Sequence, residues 1–348
     1  MKFAPSLWII VWLVSLMALT GCGTTNSSSP DKRVVVYTSV DEVFAEPICQ
    51  QFERETGIRV ELLPDTEETK STGLLNRLIA EKDRPQADVF WSGDPVRAVI
   101  LKSKGISAAY KSPAAEGLPS EFSDAESHWI GFSARARVII YNKDLVPDDK
   151  NPTSIRDLAD PRFKGQACLA NPLFGTTSMH AAALFQAFGD EQAKKFFHSL
   201  ADNKVKILSS NSEVRRRVAN GDFEIGLTDT DDVNVAIQEG KPVGFVYPDA
   251  DGMGTLVIPN VAVLIAGGPN LEEGRRFIDY LLRSETEAAL ARSEAAQMPL
   301  RSDVELPDDF PLKPITQLKA MSVDYGKLAE KLEKLSGGFL KQWVDQNQ

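Results

Sequence analysis

The chain has little cysteine, and this shortage limits the kinds of protein it can be. Three cysteines among 348 residues are too few for a disulfide-held scaffold. Cys49 and Cys168 lie in apolar contexts, with no neighbour that would activate a thiol or complete a metal site. We therefore predict that both are buried, unreactive thiols. Cys22 has a different setting, because it directly follows an apolar run near the start of the chain.

Positive charge and the common catalytic motifs are also scarce. The 39 lysines and arginines stand against 49 acidic residues, and the net charge of −10 argues against a nucleic-acid-binding protein. The sequence contains no Gly-x-Ser-x-Gly elbow, no Walker A loop and no His-Glu-x-x-His motif. Its three histidines are scattered, and only His180 lies beside a candidate binding segment, so an enzyme is not expected.

The N-terminus is typical of an exported protein. Lys2 precedes the apolar run 7–19, which is shorter than a typical membrane-spanning helix. The run ends in Leu-Thr-Gly before Cys22, and this resembles a bacterial lipobox. We therefore predict a lipoprotein signal peptide at 1–21, lipidation at Cys22 and a flexible tether at 22–31. A plain secretory signal with a chance cysteine is the alternative.

The chain from residue 33 alternates between strand and helix patterns. Strand-like runs at 33–37, 58–63 and 88–91 are separated by helical patterns, which predicts a mainly parallel α/β sheet. Two further strands, at 129–132 and 138–141, are expected to cross out of this first part, with the residues 133–137 between them. Ligands of such sheets bind at the carboxyl ends of the strands.

Three carboxylates follow one predicted strand closely. Asp229, Asp231 and Asp232 come directly after the buried run 225–227 and precede a helical pattern at 233–239. Carboxylates so close together repel one another, so we expect a cation, hydrogen-bond donors or water to compensate them. The alternative is a simple helix cap made by one of the aspartates.

A second polar segment, at 174–180, precedes the helical run 181–188. A glycine and three hydroxyl residues there predict a loop that opens a helix and offers N–H and O–H donors to a phosphate, carboxylate or carbonate group. An ordinary Ser/Thr cap is the alternative. The four residues are Gly175, Thr176, Thr177 and Ser178.

Several segments resemble the extracellular solute-binding proteins of ABC importers. They are the lipobox, the opening Val-Tyr-Thr-Ser at 36–39, Asp-Val-Phe-Trp at 88–91, the stretch 135–142, and Asp-Leu-Ala-Asp-Pro-Arg-Phe-Lys-Gly at 157–165. The sequence is most similar to the ferric-iron-binding, transferrin-like branch. This resemblance implies a non-enzymatic protein without a resident cofactor, with an ABC permease and an ATPase as partners and a solute or Fe(III) with an anion as cargo.

The same resemblance implies an α/β fold of type II, in which two lobes close on the ligand about crossing strands. We expect lobe 1 to comprise 32–134 and about 262–310, and lobe 2 to comprise 135–261 and about 311–348. The protein would be exported and anchored by lipid in the cell envelope, on the periplasmic or extracellular face.

The binding residues carried over from the family differ from its pattern at one point. The adjacent tyrosines that bind Fe(III) in the family are replaced by Asp231 and Asp232, and Asp229 stands at the position of an anion-contacting asparagine. The anion half of the site is retained in the segment 175–178, with Asn211 from a neighbouring loop and Arg135 on the crossover, Arg137 being the weaker candidate. The remaining expected ligand-binding residues are Tyr37, Ser39, Asp41 and Asp94.

Two ligand hypotheses follow from this comparison. Ferric iron is the expected ligand, because the resemblance favours it, with Asp231 and Asp232 as metal ligands beside a synergistic anion. Carboxylates are competent ligands for hard cations. The missing tyrosines favour a small organic anion instead, such as a phosphorylated sugar, a phosphonate or a carboxylate. A structural or adhesive lipoprotein is a third class, but such a protein needs no polar cleft.

Overall fold

The computed structural model describes Met1, residues 32–65 and residues 72–348. The predicted signal peptide after Met1, the tether and Cys22 lie outside the described residues, so they remain sequence-based predictions. Among the helices that are described, none has the length and apolar character needed to cross a bilayer.

The first section of the sheet, which we call lobe 1, alternates strands and helices as predicted. Its elements are β1 (Arg33–Thr38), α1 (Glu42–Thr56), β2 (Arg59–Pro64), α2 (Thr72–Ala80), β3 (Val89–Ser92) and α3 (Pro95–Ser103). β1 lies between β2 and β3 and is parallel to both. α1 ends at Gly57, whose φ of 69° is readily adopted by glycine. Because β1 and β3 are parallel, the junctions that follow them meet at one edge of the sheet.

Two long antiparallel strands join this section to the second one. They are β5 (Ile130–Asn142) and β10 (Val257–Ile265), and the two-residue strand β4 (Ser107–Ala108) also pairs with β10. The prediction of two separate strands at 129–132 and 138–141 is wrong, because β5 is continuous through 133–137. All thirteen residues of β5 are buried, including Arg135 and Arg137. The charges of both arginines are paired with Asp229 inside the protein.

The second section, which we call lobe 2, is again a strand–helix alternation. Its elements are β6 (Ala167–Ala170), α4 (Gly175–Phe188), α5 (Asp190–Asp202), β7 (Lys206–Leu208), α6 (Asn211–Ala219), β8 (Ile225–Asp229), α7 (Thr230–Gln238) and β9 (Val243–Val246). β6 is parallel to both β7 and β8, and β5 pairs antiparallel with β8 and β9. The order across the whole sheet is β2-β1-β3-β10-β5-β8-β6-β7. The helices α4, α6 and α7 therefore begin at the same edge of the sheet.

Two of these helices begin earlier than the sequence predicts. α4 begins at Gly175, so Thr176 to Ser178 form its first turn rather than a preceding loop. α7 begins at Thr230, which places Asp231 and Asp232 in its first turn. Acidic residues interact favourably with the positive end of a helix dipole, so the helix extends to the end of β8.

The remaining helices lie after the crossing strands. They are α8 (Leu271–Leu281), α9 (Ser284–Arg292), α10 (Tyr325–Ser336) and α11 (Phe339–Asn347). α10 packs against α3 of lobe 1 and α4 of lobe 2, and Trp343 of α11 donates a 2.8 Å hydrogen bond to the carbonyl of Phe197. The lobe boundaries given above remain a prediction.

The two cysteines of the folded region are buried free thiols, as predicted. Burial, with Glu53 and Glu46 adding to the effect, raises the pKa of Cys49 to about 12. Burial also raises the pKa of Cys168. Neither thiol is available as a nucleophile or a metal ligand at neutral pH.

A candidate ligand-binding cleft

A cleft lies where the strand-to-helix junctions of the two sections face each other. The β1–α1 junction contributes Ser39, Val40, Asp41 and Phe44. The opposite wall is formed by the ends of β6, β7 and β8 and the first turns of the helices that follow them. Its polar residues are Asn171, Gly175, Thr176, Thr177, Ser209, Ser210, Asn211, Ser212, Asp229, Asp231 and Asp232. Arg135 reaches the cleft from the crossing strand β5, and Gln297 from the segment after α9.

The three aspartates predicted from the sequence do converge here. Each of Asp229, Asp231 and Asp232 offers a carboxylate oxygen within 4.8 Å of the others. Asp229 is buried and ends β8, whereas the other two are partly buried in the first turn of α7. The cluster could hold a cation only if these oxygens are free to turn toward it.

Asp229 is already engaged by the protein. Its Oδ1 accepts a 2.7 Å hydrogen bond from Nη1 of Arg137, and its Oδ2 accepts bonds from Thr176 at 2.8 Å and Asn211 at 3.1 Å. Arg135 adds a longer contact of 3.4 Å from Nε. Burial alone would raise the pKa of Asp229, but the two arginines and these donors hold it below its usual value. Asp229 is therefore a charged anchor of lobe 2.

The buried arginine beside it organises the predicted anion segment. Arg137 is fully buried and donates from Nη1 to Thr176 at 3.1 Å and to Asn211 at 3.2 Å, and from Nη2 to Thr177 at 3.2 Å. Thr177 also lies 3.2 Å from the Asn211 amide oxygen. These side chains thus bond to one another, which corrects the prediction that the two threonine hydroxyls are free donors to a ligand.

The backbone at this wall has the donors that the side chains lack. The N-cap residue of α4, Phe174, supplies no side-chain cap, and within the described chain no acceptor meets the N–H groups of Gly175, Thr176 and Thr177. At α6 the side chain of Ser210 accepts only from Glu213 N. Two helix N-termini therefore present N–H groups and positive dipole ends to the cleft. The segment is not an ordinary Ser/Thr cap, but its donors are main-chain groups.

Arg135 brings a second guanidinium to the cleft. Its Nη2 donates a 2.8 Å hydrogen bond to the carbonyl of Gly93, and its Nε faces Asp229 and, at 3.9 Å, Asp231. Its Nη1 donates to no residue in the described part of the chain. Because Gly93 follows β3 and Asp229 ends β8, Arg135 touches both sections. The structure thus places the predicted arginine in the lining of the cleft.

The remaining carboxylates have contrasting environments. Burial raises the pKa of Asp231 to about 7, with Asp229 and Asp232 adding to the rise and Arg135 opposing it. Asp232 accepts a 2.8 Å hydrogen bond from Thr228. Asp231 itself accepts from the N–H of Asp232 at 3.0 Å, inside the first turn of α7. The N-cap residue of α7 is Asp229, whose side chain makes no capping bond, so the helix cap expected from Asp231 or Asp232 is wrong.

Three predicted ligand residues lie elsewhere. The hydroxyl of Tyr37 donates to Glu81 at 3.1 Å, and burial and this carboxylate raise its pKa to about 12, so it is not a phenolate ligand. Asp94 is fully buried, where it caps α3 through Val96 N and pairs with Arg97 at 3.2 Å. Ser178 accepts a 2.9 Å hydrogen bond from the same Arg97. None of the three lines the cleft, since each is turned toward packing partners.

Two of the predicted residues line the cleft, and one residue that lines it was not predicted. Ser39 and Asp41 line the cleft as expected. His180 is buried beneath it, where burial and the charge of Arg137 lower its pKa to about 3. Gln297 lines the cleft with an exposure of 1 %, and no sequence pattern pointed to it, because it lies in an irregular segment far from the other site residues.

Comparison with known proteins places these features in a family. Residues 85–327 match the family model described as bacterial extracellular solute-binding protein. Iron uptake protein A1 of Synechocystis is 26% identical over 299 residues, covering 81% of each chain. A putative 2-aminoethylphosphonate-binding periplasmic protein of Salmonella paratyphi A is 28% identical over 274 residues, covering 74% of each chain.

A solved structure of a solute-binding protein has the same fold as this chain. Iron-bound HitA from Pseudomonas aeruginosa superposes with a TM-score of 0.80 at 22% identity, covering 90% of this chain and 99% of that one. The prediction of a two-lobed, type II α/β fold is thereby confirmed. The chain belongs to the bacterial extracellular solute-binding proteins, the non-catalytic components that capture solutes for ABC importers and work with a permease and an ATPase.

Proposed function

We propose that the cleft binds a small organic anion: a phosphonate, an organic phosphate or a carboxylate. The observation that carries this proposal is the engagement of Asp229 by Arg137, Thr176 and Asn211. The buried guanidinium of Arg137 thereby neutralises one of the three clustered aspartates. No tyrosine or histidine is among the residues that line the described cleft, so the hard phenolate ligands of the iron-binding branch have no counterpart.

The acidic group of the ligand would lie against the N-termini of α4 and α6. Main-chain N–H groups there lack acceptors within the described residues, and a helix N-terminus favours negative charge. Nη1 of Arg135 adds a charged donor from the crossing strand, and charge-assisted hydrogen bonds are among the stronger ones. Arg137 contributes indirectly, because it fixes the positions of both helix starts through Thr176 and Asn211.

The opposite pole of the ligand would face the aspartates. Asp41, Asp231 and Asp232 line the cleft and suit hydroxyl or amine donors. A solute with an acidic group at one end and an amine at the other would satisfy both poles. The 2-aminoethylphosphonate named for one relative has this chemistry, and it supports the proposal as an example of the class.

Ferric iron with a synergistic anion is the second candidate, and one observation favours it. The carboxylate oxygens of Asp229, Asp231 and Asp232 lie within 4.8 Å of one another, and carboxylates bind hard cations. The names of the iron uptake relative and of iron-bound HitA point the same way. For this candidate, Asp231 and Asp232 would be the metal ligands, with the anion at the start of α4. It would require a cation near the Arg135 guanidinium, which is electrostatically unfavourable.

Competition measured by native mass spectrometry tests the two candidates. The mature protein would be incubated with equal amounts of 2-aminoethylphosphonate, fructose 6-phosphate, citrate and ferric citrate. We expect the retained mass to be that of an organic anion without iron. Retention of an iron adduct alone would contradict the proposal and favour the second candidate.

We infer that the mature protein is attached to the cell envelope through lipid on Cys22. The lipobox-like sequence before this residue and the polar tract after it support the inference. Metabolic labelling with a radioactive fatty acid tests it. The label should be incorporated into the wild type and be lost in Cys22→Ala, and equal labelling of the two would contradict lipidation at this residue.

A further inference from the structure

Gln297 lies in a short segment that is held tightly against the crossing strand β5. The backbones of Ala134 and Met298 exchange two hydrogen bonds, each of 2.7 Å. The residue before the glutamine, Ala296, has a φ of 42°, a conformation that residues other than glycine seldom adopt. Such strained positions persist where the surrounding structure fixes them. The side chain of Gln297 is 1 % exposed and lines the cleft.

The neighbouring asparagine determines which end of the Gln297 amide faces the cleft. Nδ2 of Asn260 donates to the carbonyl of Ser133 at 2.9 Å and to Oε1 of Gln297 at 2.5 Å. A main-chain carbonyl can only accept, so the NH₂ group of Asn260 must lie on this side. The atom of Gln297 that meets the same NH₂ group is therefore its oxygen. Nε2 is left as the free end of the amide.

We propose that Nε2 of Gln297 donates a hydrogen bond to an oxygen of the bound ligand. This inference rests on the proposed function and deepens it, because an amide N–H recognises an acceptor oxygen and does not coordinate a metal. Nε2 has no acceptor among the residues that the structure describes. Because Gln297 lines the cleft, water is the available acceptor for Nε2 in the free protein, and a ligand oxygen would replace that water. Gln297 would thus select ligands that place an acidic or carbonyl oxygen at the side of the cleft next to the crossing strand β5.

Two substitutions separate this role from a structural one. Gln297→Glu keeps an oxygen for Asn260 but replaces the donor with a carboxylate oxygen that repels an anion. Gln297→Met keeps the length of the side chain and removes both polar atoms. Gln238→Glu is the matched control. Gln238 is exposed at the end of α7, so this substitution adds the same charge outside the cleft. Thermal unfolding of each variant reports whether the fold is retained.

The affinity for 2-aminoethylphosphonate, measured by calorimetry, is the test. We expect Gln297→Glu to weaken binding about tenfold or more, Gln297→Met to weaken it about three- to tenfold, and Gln238→Glu to leave it unchanged. Wild-type affinity in both Gln297 variants would overturn the inference while leaving the proposed function intact.

A second probe distinguishes the two possible failures. If the wild type binds ferric citrate but none of 2-aminoethylphosphonate, fructose 6-phosphate and metal-free citrate, the proposed function fails, and the same variants are then measured with ferric citrate. An equal loss in Gln297→Glu would support donation to the citrate oxygens, and no loss would overturn it. Binding of none of these ligands by the wild type would contradict both proposals.

Discussion

Arg137 and Asp229 are cross-strand neighbours on β5 and β8, and a 2.7 Å hydrogen bond joins their side chains inside lobe 2. The pair links two strands, and through Thr176 and Asn211 it also links the starts of α4 and α6. A binding wall made by three helix starts is thereby held together by one buried ion pair. The same pair removes Asp229 from the set of free metal ligands.

Loss of Arg137 should destabilise the fold. Arg137→Met leaves the Asp229 charge buried without its main partner, so we expect the free energy of unfolding to fall by about 3–5 kcal/mol. Urea denaturation followed by circular dichroism measures this. Adding Asp229→Asn to the same chain removes the unpaired charge and should restore part of the loss. Stability within about 0.5 kcal/mol of the wild type in the single variant would contradict the assigned role of the pair.

Loss of Arg135 should weaken binding. Arg135→Ala removes a guanidinium that lines the cleft, and we expect binding of the organic anion to weaken by about 2–5 kcal/mol. Arg276→Ala, at an exposed position of α8, removes the same charge outside the cleft and serves as the control. Calorimetry compares the two, and equal affinities would exclude Arg135 as the anchor.

The close approach of Gly93 to Arg135 gives a more conservative test. A Cβ at Gly93 would lie 2.6 Å from Nη2 of Arg135, so Gly93→Ala should displace the guanidinium without removing it. We expect affinity to fall about tenfold with secondary structure unchanged. Gly252→Ala is the control, because a Cβ there has its nearest neighbour at 3.6 Å. An unaltered affinity in Gly93→Ala would show that the position of the guanidinium does not matter.

Asp231 should make stability depend on pH. Its pKa is about 7 in the folded protein, against about 4 in an unfolded chain, so the folded state keeps a proton that the unfolded state loses. Stability is therefore retained below about pH 4 and is lost as pH rises toward 7. Asp231→Asn should remove this loss, making the ligand-free variant more stable than the wild type at pH 8 by about 2–4 kcal/mol, with little difference at pH 4.

Thermal unfolding at several pH values checks this prediction. Asp303→Asn, at an exposed position, is the control and should follow the wild type throughout. Parallel pH profiles for the wild type and Asp231→Asn would show that the buried carboxyl does not retain its proton near neutral pH.

Much of the fold could be predicted from the sequence, because the strand–helix alternation is a local pattern. β1, α1, β3 and α3 are found close to their predicted positions. The division of β5 into two strands, at 129–132 and 138–141, was wrong for a physical reason. Arg135 and Arg137 are buried beside Asp229 of β8, and a pattern of hydrophobicity cannot show that two charges are compensated by a distant residue.

The site was predictable in location rather than in detail. Asp231, Asp232 and the start of α4 follow strands directly, so their positions at one sheet edge could be inferred. The engagement of Asp229 depends on cross-strand register, and the contribution of Gln297 depends on the packing of a distant irregular segment. Tyr37 resembled a ligand because it lies at the end of β1, but its hydroxyl is directed to Glu81.

The most direct test of the proposed function is calorimetry of the mature protein with 2-aminoethylphosphonate in buffer freed of metal ions. The engaged Asp229 and the main-chain N–H groups at the starts of α4 and α6 predict saturable binding of one organic anion per protein, unaffected by a chelator. Binding that appears only when ferric iron is supplied, and that chelation abolishes, would contradict the account.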